Sequence, residues 1–135
     1  MEKRKIIIDC TPGVDDAIAL AYAAAKQDAL ELLAVTTVSG KQSIEKVTEN
    51  ALALVEFFGL DVPVAQGMAE PMIRETEYEA RRNGENGLGQ AVLAKSSRKV
   101  VEEQAVFYLK KILMDLPKDE KVTLICTGPL TNIAF

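Results

Sequence analysis

Asp9, Thr11, Asp15 and Asp16 crowd one short stretch, IIIDCTPGVDDAIAL. Carboxylates packed this closely repel one another unless a cation joins them. Oxygen ligands alone favour a hard ion such as Ca²⁺ or Mg²⁺. Neighbouring residues in the first turn of a helix point in different directions, so Asp15 and Asp16 can face different partners, for instance a metal and a pair of sugar hydroxyls. The Asp-Asp pair taken alone reads as helix capping. With Pro12-Gly13 set between a strand and a helix, the functional reading becomes the better one. Two further polar stretches, Thr36 to Lys41 and Thr127 to Asn132, follow apolar runs in the same way. The chain has no histidine, and its two cysteines, Cys10 and Cys126, make no CxxC pair. That argues against a zinc site.

The elements that must position these residues alternate. KIIIDC (5–10) carries three consecutive isoleucines and fits a strand buried on both faces of a parallel sheet. An alanine-rich helix runs from Asp15 to about Lys26, with acidic residues suited to its first turn. LELLAVTTV (30–38) is the second strand. Ile44, Val47, Ala51, Leu54, Val55 and Phe58 keep helical spacing, with Gly59 as the residue after the helix. VPVA (62–65) is a short third strand, and residues 66–95 form a long connection. A third helix starts at Val101, VTLIC (122–126) is a fourth strand, and Leu130 to Phe135 begins a helix. The order predicts an α/β fold, a Rossmann-like parallel sheet with flanking helices. In such sheets ligands bind beyond the carboxyl ends of the strands, and all three polar stretches fall there.

The chain's 135 residues suffice for one domain, so residues 1–135 are read as a single domain. A net charge of −4 argues against nucleic-acid binding. No apolar run approaches membrane-spanning length, no signal-peptide pattern follows the first residues, and no disulfide framework is evident. The expectation is a cytoplasmic protein acting on a small molecule, with no nucleic-acid or membrane partner.

IIIDCTPGVDDAIAL resembles the opening signature of the inosine–uridine-preferring nucleoside hydrolases, D-[TC]-D-P-G-x-D-D. TTVSGKQSIEKVTENAL, RRNGENGLG and CTGPLTNIA agree with the same family in order and spacing, so the resemblance spans nearly the whole chain. It implies a Rossmann-like fold, a bound Ca²⁺, and hydrolysis of the N-glycosidic bond of ribonucleosides to ribose and base. By that resemblance Asp16 is a calcium ligand and Asp15 a ribose contact. Asp9 is a partner that orients the loop, and Thr127 ligates the metal through its main-chain carbonyl. The residues themselves also allow Thr127 to be an ordinary strand-ending turn, and Asn132 reads as a residue that orients its loop.

Three positions depart from the pattern. Thr11 stands where the resemblance calls for an aspartate that binds calcium and serves as general base; a hydroxyl is neutral at pH 7 and a poor base. Lys41 stands at a position where many members have a ribose-binding asparagine, and also reads as a solvated lysine at a helix start. Asn83 stands where the HGxxG segment of the family has histidine, and also reads as a turn residue beside Gly84. The resemblance covers only the N-terminal half of a member, so the expected fold is a truncated one and the expected activity weak or absent. Strand 122–126 is then an exposed apolar edge, which predicts a homo-oligomer or a companion chain. Cys10 and Cys126 are expected close together as free thiols. Two alternatives stand beside the hydrolase: a non-catalytic module binding nucleoside, ribose or a partner, and a haloacid dehalogenase-type phosphatase built on Asp9 and Thr11.

Overall fold

The computed structural model describes residues 2–78 and 83–135. In chain order it has β1 (Arg4–Cys10), α1 (Val14–Ala25), β2 (Leu30–Thr37) and α2 (Ile44–Phe57). These are followed by β3 (Val64–Gln66), α3 (Ala105–Asp115), β4 (Val122–Cys126) and α4 (Thr131–Ala134). The strands form one sheet in the order β3-β2-β1-β4, and every recorded pairing is parallel. The isoleucine run of β1 sits in the middle, as expected of a strand buried on both faces.

Alternation along β1 divides the core. Ile6, Ile8 and Cys10 face α1 and α2, where they pack with Leu20, Ala23, Ala51, Leu54 and Val55. Ile7 faces the other way, onto Leu109 of α3, with Ala34, Ile112 and Leu124 around it. Burying a side chain such as Leu20 contributes about 1.5–3 kcal/mol relative to leaving it exposed.

Local boundaries follow from capping. Ser43 caps α2 by accepting from the Lys46 N–H at 3.5 Å. The helix closes at Gly59, whose φ of +64° belongs to the left-handed region. Two boundaries differ from the sequence expectation. β3 is shifted to Val64–Gln66, because its pairing to β2 runs Val35↔Val64 to Thr37↔Gln66. The helix expected from Val101 begins at Ala105 instead, behind a Gln104 whose side chain accepts from the Val106 N–H. Val101 is spent otherwise: its N–H donates to the Val64 carbonyl at 2.9 Å, continuing the edge of β3. Residues 67–104 carry no strand or helix among the described residues, as expected of a long connection.

β4 lies at an edge of the sheet, as predicted. The apolar side chains of Phe107, Met114, Ile125, Leu130, Ile133 and Phe135 on and near it are exposed. Asp9 pairs in register with Cys126, so the two cysteines do end adjacent strands, and both are free. No helix of the described residues is long and apolar enough to cross a membrane.

Candidate functional site

β1, β2 and β4 all release their chains at the same end of the sheet, and the three polar stretches meet there. β1 hands over to α1 through Thr11, Pro12 and Gly13, all three buried. Gly13 is the N-cap of α1 and makes no side-chain cap, so Asp15 and Asp16 are not N-caps, and the capping reading of the pair fails at that position. A Cβ on Gly13 would meet Asn83 Nδ2 at 2.6 Å and Lys41 Cδ at 3.1 Å. Only glycine lets those two side chains close over the turn.

Asp15 and Asp16 diverge as adjacent helical residues must. Asp15 is exposed and its carboxylate accepts from the Lys41 ammonium. Partial desolvation works against its charge, but the hydrogen bond and charge of Lys41 prevail and hold its pKa below the ordinary value. Asp16 is turned inward and is 2% exposed. Its Oδ2 has no hydrogen-bond partner among the described residues. Desolvation raises its pKa; the nearby Thr127 hydroxyl opposes the rise and the Asp15 charge adds to it.

Thr11 is buried, and its Oγ1 accepts the backbone N–H of Lys41 at 3.2 Å. Lys41 therefore grips the first loop twice, at Thr11 through its backbone and at Asp15 through its ammonium. Val14, Asp15, Ile18, Lys41 and Asn83 line an open hollow of about 310 Å³. The structure thus brings Thr11, Asp15, Asp16, Lys41 and Asn83 together.

Asp9 lies behind them, fully buried. Its Oδ1 accepts from Thr36 Oγ1 at 2.5 Å and from Asn132 Nδ2 at 2.8 Å. Burial raises its pKa, against the pull of those two donors. A phosphatase nucleophile has to reach its substrate; this carboxylate is inside the sheet, which removes the haloacid dehalogenase-type reading. Thr127 ends β4 with its N–H on the Asp9 carbonyl at 2.9 Å. Cys10 is also fully buried, its thiol pushed well up by desolvation and by the charges of Asp16 and Asp9, so it is no nucleophile.

Residues outside the first loop hold this arrangement, and of these sequence reasoning had named only Asn132, as a residue that orients its loop. Asn132, 3% exposed, donates to Asp9 and to the Thr37 carbonyl at 2.9 Å, and accepts the Met68 N–H at 2.9 Å. It ties β1, β2 and the segment after β3 to one side chain. Asn50 of α2 donates to the Pro12 carbonyl at 3.3 Å and to the Asn86 carbonyl at 2.8 Å. Gln42 donates to the Gly84 carbonyl at 3.2 Å. Together they dock segment 83–89 on the first loop. That segment turns through Gly84, Gly87 and Gly89, all with φ near +70°. Its glycine spacing was the available signal; the partners Gln42 and Asn50 are far away in sequence and gave none.

The donor set does not by itself suit a divalent ion. No group of three or more His, Cys, Asp or Glu able to hold a metal occurs among the described residues. Thr11 is neutral, Asp15 is paired to an ammonium, and Asp9 commits its Oδ1 to Thr36 and Asn132. The Oδ2 atoms of Asp9 and Asp16 are both buried without a hydrogen-bond partner among the described residues.

Comparison with known proteins gives a consistent picture. The family model described as inosine-uridine preferring nucleoside hydrolase matches residues 6–135. The non-specific ribonucleoside hydrolase RihC of Escherichia fergusonii is 42% identical over 130 residues, covering 96% of this chain and 42% of the relative. The pyrimidine-specific ribonucleoside hydrolase RihB of Escherichia coli is 42% identical over 134 residues, covering 99% and 42%. Among solved structures, a purine-preferring ribonucleoside hydrolase from Gardnerella vaginalis superposes with a TM-score of 0.88 at 32% identity, covering 97% of this chain and 42% of that one. The chain thus spans about two fifths of the length of the curated relatives it matches.

Proposed function

The chain belongs to the inosine–uridine preferring nucleoside hydrolase family, and on that premise we propose that it binds ribonucleosides through their ribose hydroxyls at the tip of β1 and cleaves the N-glycosidic bond only slowly. The observation that carries this reading is the pairing of a carboxylate on the wall of the hollow with a missing base. Asp15 is exposed beside the hollow, while Thr11 offers only a hydroxyl that already accepts a hydrogen bond.

Cleavage of an N-glycosidic bond by water passes through a sugar that carries positive charge, and the attacking water must give up a proton. Asp15 supplies negative charge at the hollow and accepts from the ribose hydroxyls, and the buried Asp16 adds negative charge behind it, which serves recognition and stabilises the cationic sugar. Asp9 acts as a positioning residue, held by Thr36 and Asn132, and Thr127 fastens the end of β4 to the Asp9 carbonyl. Asn83 sits at the rim of the hollow, where a base attached to the sugar would project. No group of the loop takes the water's proton. Absence of a general base lowers the rate by about 10²–10⁴-fold. Family members are by resemblance calcium enzymes, with Asp16, the Thr127 carbonyl and the residue at position 11 as ligands. The donor set here does not suit that ion, so no step is routed through it.

The expected assembly is a homo-oligomer or a complex with a companion chain that covers β4. The exposed Ile125, Ile133 and Phe135 support it. The two free thiols support a cytoplasmic setting.

The test is ribose release from inosine and from uridine. Slow turnover is expected, and Thr11→Asp is expected to raise it by about 10²-fold or more. Binding of nucleoside with no turnover in either protein favours the non-catalytic module, which the neutral Thr11 also supports. Failure of both proteins to bind or cleave any ribonucleoside removes the proposal.

A further inference from the structure

Thr11 and Lys41, two of the positions at which the loops depart from the opening signature and its continuation, touch each other: the Lys41 N–H donates to Thr11 Oγ1 at 3.2 Å. From this contact we infer that Lys41 stands in for a divalent cation at the nucleoside site, so that the ribose hydroxyls are bound without metal. The inference rests on the reading of the site as a ribonucleoside site and concerns what supplies its positive charge.

The charge count supports it. A neutral residue at position 11 and an ammonium at position 41 each move the local charge by one unit in the positive direction. Together they equal the charge a divalent ion would bring. The ammonium is also in place to act. It pairs with Asp15, the carboxylate on the wall of the hollow. Its side chain is only 15% exposed, with its stem lying against Gly13. An exposed lysine would swing in solvent; this one is fixed at the backbone end by Thr11 and at the tip by Asp15. An ammonium carries three donors and Asp15 takes one, so donors remain for a sugar oxygen at the same place.

The other carboxylates do not restore a metal site. Asp9 is turned into the sheet between Thr36 and Asn132. Asp9 Oδ2 and Asp16 Oδ2 are carboxylate oxygens left without a partner among the described residues, and the fixed ammonium of Lys41 beside Asp15 opposes any cation approaching them.

Calorimetric titration of the purified protein with inosine, once in EDTA and once in CaCl₂ at about 1 mM, the weak end of calcium affinities, tests this. Inosine affinity should differ by less than about threefold between the two conditions, and a Ca²⁺ titration should give no saturable heat below that concentration. Lys41→Met should weaken inosine binding in EDTA by about tenfold or more, and Lys41→Arg should keep most of it, because charge rather than shape is the requirement. Circular dichroism of each variant checks that the fold is retained. Inosine binding that appears only with Ca²⁺ overturns the inference while leaving the proposed function standing. A folded Lys41→Met that binds like the parent in EDTA also overturns it. No binding in either condition removes the nucleoside reading and this inference with it.

Discussion

Replacing Asn132 by alanine should unfasten the floor of the site. The amide is 3% exposed and makes three hydrogen bonds: to Asp9 Oδ1 at 2.8 Å, to the Thr37 carbonyl at 2.9 Å, and from the Met68 N–H at 2.9 Å. One of these goes to a carboxylate. A hydrogen bond to a charged group contributes about 1.5–3 kcal/mol, and a neutral one about 0.5–1.5 kcal/mol. Partial relaxation offsets some of the sum, so Asn132→Ala should cost about 3–5 kcal/mol. The cost should depend on pH with a defined sign. Burial already places the Asp9 pKa above its ordinary value, and Asn132 is the larger of the two donors that pull it down. In the variant the folded-state pKa rises further. A carboxyl whose pKa is raised on folding binds more protons when folded, so its contribution to stability is greatest below the unfolded carboxylate range and is lost as pH rises through the folded pKa. The deficit of Asn132→Ala relative to the parent should therefore be larger at neutral pH than under mildly acidic conditions. Urea unfolding at several pH values, compared through the midpoints at constant m, measures it. A deficit below about 1 kcal/mol, or one that does not change with pH, would refute the claim that this side chain holds the buried carboxylate.

Gly67→Ala should destabilise by about 1–3 kcal/mol in the same urea assay, because its Cβ would strike the Thr37 carbonyl and the Asn132 amide, neither of which can swing away. Leu20→Ala, fully buried between α1 and the sheet, should cost about 2–5 kcal/mol in thermal or urea unfolding without changing inosine affinity per folded molecule. Asn50→Ala frees segment 83–89 from the Pro12 carbonyl, so it should weaken inosine binding in calorimetry by several-fold, about 1 kcal/mol, while the melting temperature changes little.

Periodicity and punctuation carried much of the fold. The isoleucine run of β1, the helical spacing of α2 with Gly59 behind it, and the VTLIC run of β4 all formed where local pattern put them, because each encodes its burial in its own residues. Val101 did not begin α3, because its N–H went to the Val64 carbonyl, a partner far away in the chain that no local pattern reports.

The site divides along the same line. The residue types of the first loop already stated its chemistry: paired aspartates, a turn that admits close approach, and a threonine that cannot act as a base. Which aspartate turns inward, which one meets Lys41, and which groups Asn132 and Asn50 hold were settled only when β1, β2 and β4 ended side by side. A sequence specifies which groups exist and how near neighbours alternate. Hydrogen bonds between residues about a hundred positions apart, such as Asp9 with Asn132, exist only after the parallel sheet has brought the strand ends together.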